Sequence, residues 1–247
     1  MNSIEKIKSL SIWSHELTIN PLEGGITNLN FLVKHGNDKL VVRLGQDIPE
    51  HLVFRSNEIN VSKAAYEIGV SPKLIHSELG VLVLEFIESQ TLDPKGVQKN
   101  LERIMPVIKK IHHEVPNFLS GQPSIFWVFH VIKYYANFLR SNHSSHQDKI
   151  HDLLQKTSTL EKLSSPREIV FGHNDFNQDL EKEALEMYYE KPLTNDVLLK
   201  YNSMKTASLL RETMWSMVSE ITSKLEFDYG EYTQENLNKF NEAFESL

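Results

Sequence analysis

Leu22-Glu23-Gly24-Gly25-Ile26-Thr27-Asn28-Leu29-Asn30-Phe31-Leu32-Val33, then Gly36-Asn37-Asp38, then Leu40-Val41-Val42-Arg43-Leu44, is the stretch on which the fold turns. Two glycines and a polar turn precede one alternating run, and a second alternating run follows the Gly36-Asn37-Asp38 turn. The pair is therefore predicted to form a β-hairpin. Backbone N–H groups in a Gly-rich turn ahead of such a hairpin can cover phosphates, although two glycines before a strand are more often a plain turn. Alternation within 40–44 puts Leu40, Val42 and Leu44 on one face and Val41 and Arg43 on the other. Arg43 is then a lone cation among apolar neighbours.

Downstream, Phe54 to Ile68 has helical spacing, with an apolar stripe at Phe54, Val61, Ala65 and Ile68. Glu58 falls on that stripe. An inward carboxylate is costly unless paired, so an Arg43–Glu58 ion pair between strand and helix is the economical arrangement. The competing arrangement has Arg43 reaching solvent and Glu58 at the edge of the stripe. Val70-Ser71-Pro72 ends the helix. Leu74-Ile75-His76, a Glu78-Leu79-Gly80 turn and Val81 to Ile87 form a second hairpin, which brings the sheet to about five strands. The last strand is almost continuously apolar up to Glu85, as suits either a central strand or a linker whose backbone lines a cleft.

From Asp93 onward the pattern turns helical and glycine becomes scarce. Helices are predicted at Asn100 to His112, Ile125 to Leu139, Gln147 to Leu163, Asp179 to Glu190, Asn195 to Leu225 with a break, and Gln234 to Phe244. A shorter amphipathic helix is expected at Ser3 to Leu10. The change of pattern divides the chain into two lobes, 1–92 and 93–247. With 247 residues the chain can bury a sizeable core, and its 40% hydrophobic and 24% charged residues are those of a globular protein.

A formal net charge of −7 and the lack of any basic cluster argue against a nucleic-acid partner. Zero cysteines exclude disulfides, thiolate metal sites and cysteine nucleophiles. The 11 histidines are scattered without metal-ligand spacing. The first ten residues lack the apolar core of a secretory signal, and no stretch is long and apolar enough to span a bilayer. These features lead to the expectation of a cytoplasmic protein without a membrane partner, acting on a small molecule.

One more stretch carries chemistry: Ile169-Val170-Phe171-Gly172-His173-Asn174-Asp175. A short apolar run that ends on glycine and then sets an imidazole, an amide and a carboxylate side by side reads as a buried strand delivering a catalytic loop. Taken alone it reads better as an ordinary turn, since Gly, Asn and Asp are what turns are made of. Together, Gly24-Gly25-Ile26-Thr27-Asn28, Val41-Val42-Arg43-Leu44, Arg55 to Glu58, Leu84-Glu85-Phe86-Ile87 and Phe171-Gly172-His173-Asn174-Asp175 resemble the choline/ethanolamine kinase family and its aminoglycoside phosphotransferase relatives.

That resemblance implies an α+β, kinase-like two-lobed fold. The small lobe, 1–92, would be an antiparallel sheet with one helix that binds nucleotide. The large lobe, 93–247, would be mainly helical and carry the catalytic loop and substrate pocket. The implied cofactors are ATP and Mg, and the implied reaction is phosphorylation of the hydroxyl of a small amino-alcohol. Gly24, Gly25, Thr27, Asn28, Arg43, Glu58, Glu85 and Ile87 would hold the nucleotide, and Asp175 with His173 would serve catalysis. Arg211-Glu212-Thr213-Met214-Trp215 is similar to the family's C-terminal helix that supplies an aromatic to the pocket. Trp215 would therefore meet a quaternary ammonium, or else be a core tryptophan.

The pattern then departs from the family. Members follow the His-Asn-Asp triplet with an Asn-bearing loop, a short hairpin and an Asp-Trp-Glu-like segment whose Asp binds magnesium. Here the chain runs Asp175-Phe176-Asn177-Gln178-Asp179-Leu180-Glu181 directly into a helix, so the large lobe reads as truncated and its metal ligands as unknown. The alternative function is a kinase-like protein without turnover that keeps the fold or the nucleotide site.

Overall fold

The computed structural model describes residues 2–22, 28–121, 124–164, 170 and 181–247. Its packing divides the chain into two compact units: Met1–Pro49 with Val53–Pro123 and Val170–Glu190, and Glu50–Leu52 with Ser124–Ile169 and Lys191–Leu247. This packing division and the functional division expected at residues 92 and 93 are different partitions of the chain.

The first unit is built on an antiparallel sheet of β1 (Leu17–Leu22), β2 (Leu29–His35), β3 (Asp38–Leu44), β4 (Leu74–Glu78) and β5 (Val81–Glu85), in the order β1-β2-β3-β5-β4. The 29–44 hairpin forms with His35 opposite Asp38, and Gly36 takes φ 60° in the tight turn, a conformation that costs glycine little. Along β3, Leu40, Val42 and Leu44 are buried while Val41 and Arg43 are only partly so, as alternation requires. Phe31, Val33, Val81 and Val83 share the buried face, which is covered by Ile7 and Leu10 from helix α1 (Ser3–Lys8) and its exit. Interior strand β5 is buried from Val81 through Leu84, which accounts for its unbroken apolar run. β1 was not individually expected because Pro21 argues against a strand; it is tolerated at the sheet edge.

The chain after α1 is fixed to β2 through one imidazole. The backbone N–H groups of Ser14 and His15 both donate to His35 Nε2, at 2.9 and 3.2 Å, and the Trp13 ring lies 5.3 Å from the His35 ring. Two converging donors require that nitrogen to be an unprotonated acceptor. His35→Ala is expected to lower the melting temperature by about 2–4 °C, the equivalent of about 1 kcal/mol for a chain of this size. An unchanged melting curve would show that water replaces the imidazole at no cost.

Helix α2 (Arg55–Glu67) begins one residue later than expected, and Phe54 is 43% exposed rather than part of the stripe. Phe54 lacks a capping side chain, and Asp47 Oδ1 instead accepts the Arg55 N–H at 2.7 Å, so a carboxylate eight residues upstream sets the start. The buried stripe falls at Ala64 and Ile68, which pack on Val115 with Val70, Ile111 and Leu119. α3 (Pro94–Lys99) is capped by Asp93, and α4 (Leu101–Glu114) packs Leu101 and Met105 on Ala184, Met187 and Tyr188 of α7 (Glu181–Tyr189).

The second unit contains α5 (Val128–Ser141), α6 (Ile150–Ser164), α8 (Asn195–Thr222) and α9 (Tyr229–Glu245). Its core joins Phe129, Ile132, Tyr135, Leu139, Leu160, Leu210, Met214, Met217 and Phe240. α8 runs unbroken for 28 residues, so the expected break is absent. Its buried Ser203, Thr213 and Ser219 donate to the carbonyls of Leu199, Leu209 and Trp215, four residues back, at 2.7 to 2.9 Å. That back-bonding lets polar residues sit in a core and hides the apolar period that sequence reading depends on. α5 starts at Val128 rather than Ile125, which is 72% exposed. α9 starts at Tyr229 rather than Gln234, because the Asp228 side chain caps Glu231 N–H at 2.9 Å. No helix of the described residues is long and apolar enough to cross a membrane.

Candidate active site

In the first unit the partly buried face of β3 carries the expected ion pair. Arg43 Nη1 lies 2.6 Å from Glu58 Oε1, with the two side chains 35% and 19% exposed. Across the hairpin Asn30 stands opposite Arg43, and its Oδ1 accepts from Arg43 Nε at 3.2 Å. The second oxygen of Glu58 is taken as well: Arg55 Nη1 is 3.0 Å from Oε2. Arg55 also donates from Nε to the Gln46 carbonyl at 2.9 Å and is 7% exposed. Two guanidinium groups share this one carboxylate in a partly dry setting, with the Asp47 carboxylate at the Arg55 N–H.

Asn28 and Gly45 stand beside this triad. A Cβ on Gly45 would come within 2.6 Å of Asn28 Oδ1 and 2.7 Å of Arg55 Cζ, so only glycine leaves those side chains where they are. Asn28 Oδ1 is buried without a hydrogen-bond partner among the described residues, which native proteins seldom leave unexplained. Arg43, the more exposed of the two cations, and the position without a side chain at Gly45 suit an anionic group such as a nucleotide phosphate, whereas Asn28 Oδ1 is an acceptor and adds no donor for it. For a magnesium ion the fit fails among the described residues, where no three His, Asp or Glu side chains are grouped to hold a metal.

In the second unit Trp215 is half-buried on α8 and faces aromatics rather than aliphatic side chains alone. Its ring lies 5.3 Å from His51, 5.9 Å from Tyr229 and 6.4 Å from Tyr232. Tyr232 OH donates to Glu212 Oε1 at 3.0 Å, and burial, then the Glu212 charge, raise its pKa. Glu212 also pairs with Arg211 at 2.5 Å.

His51 is held in one tautomer. Ser219 Oγ donates to the Trp215 carbonyl, so it accepts from His51 Nε2 at 3.1 Å, and Tyr135 OH faces Nδ1 at 3.4 Å. Burial lowers the His51 pKa from 6.5 to about 4, with Glu50 opposing and Arg211 assisting. Burial likewise pushes Tyr135 up to about 12. Between pH 6.5 and about 4 the unfolded chain therefore binds a proton at His51 that the folded chain refuses. Stability contributed by neutral His51 is complete above pH 6.5 and is lost as pH falls toward 4. His51→Gln keeps a donor and an acceptor but does not titrate, so its melting temperature is expected to fall less than the wild type's between pH 7 and 5. Parallel curves would remove His51 from the acid response.

Of the expected site residues, Arg43 and Glu58 are brought together and Asn28 lies beside them. Glu85 closes β5, with its N–H bonded to the Lys73 carbonyl at 2.9 Å, and Ile87 follows at 53% exposure. Trp215 lies in the second unit. Gly24, Gly25, Thr27, His173 and Asp175 lie outside the described residues, as does the run from Asp175 to Leu180. The expected strand at 169–171 lies outside the described residues except for Val170, which is 37% exposed. Sequence reading missed the roles of Arg55, Asn30, Gly45 and His51. The signal for Arg55 was its place three residues before Glu58, one helical turn along the same side.

A family model described as choline/ethanolamine kinase matches residues 19–180. A curated relative, a probable ethanolamine kinase of Arabidopsis thaliana, is 26% identical over 237 residues, covering 91% of this chain and 56% of its own length. The chain thus spans little more than half of that relative. Among solved structures, a choline/ethanolamine kinase family protein from Mesorhizobium loti superposes with TM-score 0.73 at 19% identity, over 98% of this chain and 93% of its own. The choline kinase LicA from Streptococcus pneumoniae gives TM-score 0.69 at 19% identity, over 98% and 97%; LicA is also known in complex with AMP. These likenesses establish the α+β, kinase-like fold class that the sequence motifs implied.

Proposed function

This chain belongs to the choline/ethanolamine kinase family, and from that premise we propose that it binds ATP and phosphorylates the hydroxyl of a small amino-alcohol, choline or ethanolamine in type, at a greatly reduced rate. The observation that carries the nucleotide half of this reading is the triad of Arg43, Glu58 and Arg55, in which Glu58 holds Arg43, the more exposed cation, in a position that suits phosphate oxygens. Residues 1–92 form the nucleotide lobe in this reading, with backbone N–H groups at Gly24, Gly25 and Thr27 over the phosphates and Glu85 to Ile87 against the base. Residues 93–247 carry the rest: Asp175 orients the hydroxyl and accepts its proton, and His173 supports that loop.

ATP when bound supplies the transferable phosphoryl group; the chain's own contribution is position and charge. Arg43, anchored by Glu58, fixes phosphate oxygens, and Trp215 offers an aromatic face to the substrate's ammonium group. The protein works in the cytoplasm on small molecules, without nucleic acid or membrane. Magnesium belongs to the family's chemistry, but the described residues supply no ligand set for it.

Calorimetric titration tests both halves. ATP is expected to bind saturably to the wild type and far more weakly to Arg43→Met; no binding to the wild type overturns the proposal. Trp215→Ala is expected to weaken choline binding by roughly 3- to 30-fold, the range of a desolvated cation–π contact, and to leave ATP binding unchanged. Equal choline affinity in the variant would return Trp215 to the core.

A further inference from the structure

Glu58 has two carboxylate oxygens, and its two cations divide them: Oε1 goes to Arg43 and Oε2 to Arg55. A carboxylate facing a single arginine commonly takes it in a two-pronged grip that engages two N–H edges of the guanidinium. Arg55 occupies the oxygen that such a grip on Arg43 would need. As a result Arg43 meets Glu58 through Nη1 only and Asn30 through Nε, and its Nη2 has no hydrogen-bond partner among the described residues. We propose that Arg55 is a positioning residue for nucleotide binding: it restrains Glu58 so that Arg43 keeps Nη2 for phosphate oxygens. This rests on the nucleotide reading above.

Three features make Arg55 the stiff member of the set. Its side chain is 9% exposed against 35% for Arg43. It is tied at Nε to the Gln46 carbonyl and at its own N–H to Asp47. Gly45 keeps clear the space its guanidinium fills, since a Cβ there would lie 2.7 Å from Arg55 Nη2. Arg43, the more exposed cation, is therefore the one that meets the ligand, and Arg55 acts through Glu58. Without Arg55 the carboxylate is free to turn both oxygens to Arg43, whose Nη2 is then no longer kept for the ligand.

The test is ADP affinity by calorimetry in the intact chain, with folding of each variant checked by circular dichroism. Arg55→Met is expected to weaken ADP binding roughly 10-fold, and Arg55→Lys, which returns a cation to Oε2, to recover most of that loss. In a Glu58→Ala background Arg55→Met is expected to change ADP affinity less than 2-fold, because the residue through which Arg55 acts is gone. The inference is overturned if folded Arg55→Met binds ADP like the wild type, if Arg55→Lys binds no better than Arg55→Met, or if the loss persists undiminished beside Glu58→Ala. A wild type that binds neither ADP nor ATP overturns both this inference and the nucleotide reading, whereas a binding wild type with an indifferent Arg55→Met overturns this one alone.

Discussion

Turnover of choline or ethanolamine with ATP and magnesium is expected to fall at least roughly 100-fold below the ordinary enzyme range of about 1 to 1000 per second. Phosphoryl transfer in kinase-like folds depends on cations that neutralise the β and γ oxygens while a carboxylate orients the hydroxyl. In the proposed reading Asp175 orients the hydroxyl and accepts its proton but brings no cation to the phosphates. Where the family resemblance calls for a metal-binding Asn and Asp, the chain reads Phe176-Asn177-Gln178-Asp179-Leu180-Glu181, and the family match ends at residue 180. Asp175→Asn is expected to remove whatever transfer remains by a further 100-fold or so, the usual worth of a positioned base. A wild-type turnover inside the ordinary range would show that metal ligands are supplied from elsewhere in the chain.

Glu58→Ala is expected to weaken ATP binding about 10-fold at physiological ionic strength while lowering the melting temperature by only a few degrees. Two effects oppose each other. Removing the carboxylate raises the local charge by one, which attracts any polyanion, but at 0.15 M salt that attraction is screened beyond about 8 Å. It also leaves Arg43 and Arg55 facing each other without their shared partner, so both guanidinium groups swing apart and the phosphate oxygens lose a fixed donor. Full breakage of a buried ion pair costs about 3–5 kcal/mol; with Arg43 35% exposed, water takes over much of that. The damage therefore falls on ligand geometry more than on folding. ATP affinity that survives the substitution would make the triad a purely structural tie.

The first unit was largely legible because its signals are local. Alternation in 40–44 fixed the face of Arg43, Gly36 and Gly80 marked the two hairpin turns, and the unbroken apolar run of β5 announced an interior strand. Arg43 and Glu58 were pairable on paper because each was a charge on an apolar face. What escaped were features set by distant partners. Asp47 caps α2 from eight residues away, and packing on Val115 puts the buried stripe at Ala64 rather than Ala65. Arg55 reads as a surface residue until Glu58 and Gln46 enclose it. His51, in a short turn after Pro49, gives no sign in the sequence that it will sit against Tyr135, Trp215 and Ser219. The start of α9 moved for a related reason: the Asp228 cap overrides an apolar count.

The hydroxyl-bearing positions of α8 carry a consequence for descent. At Ser203 and Thr213 a buried hydroxyl that bonds the carbonyl one turn back asks nothing of its neighbours except room, so Ala, Ser and Thr are near-equivalent there and can interchange over generations at little cost. A helix of this kind keeps its place in the core while its letters drift. Lineages that share the helix would then be recognised by superposition long after their sequences had parted. Positions such as Trp215 and Glu212, which bond or stack with other elements, would be the slow-changing marks left along it.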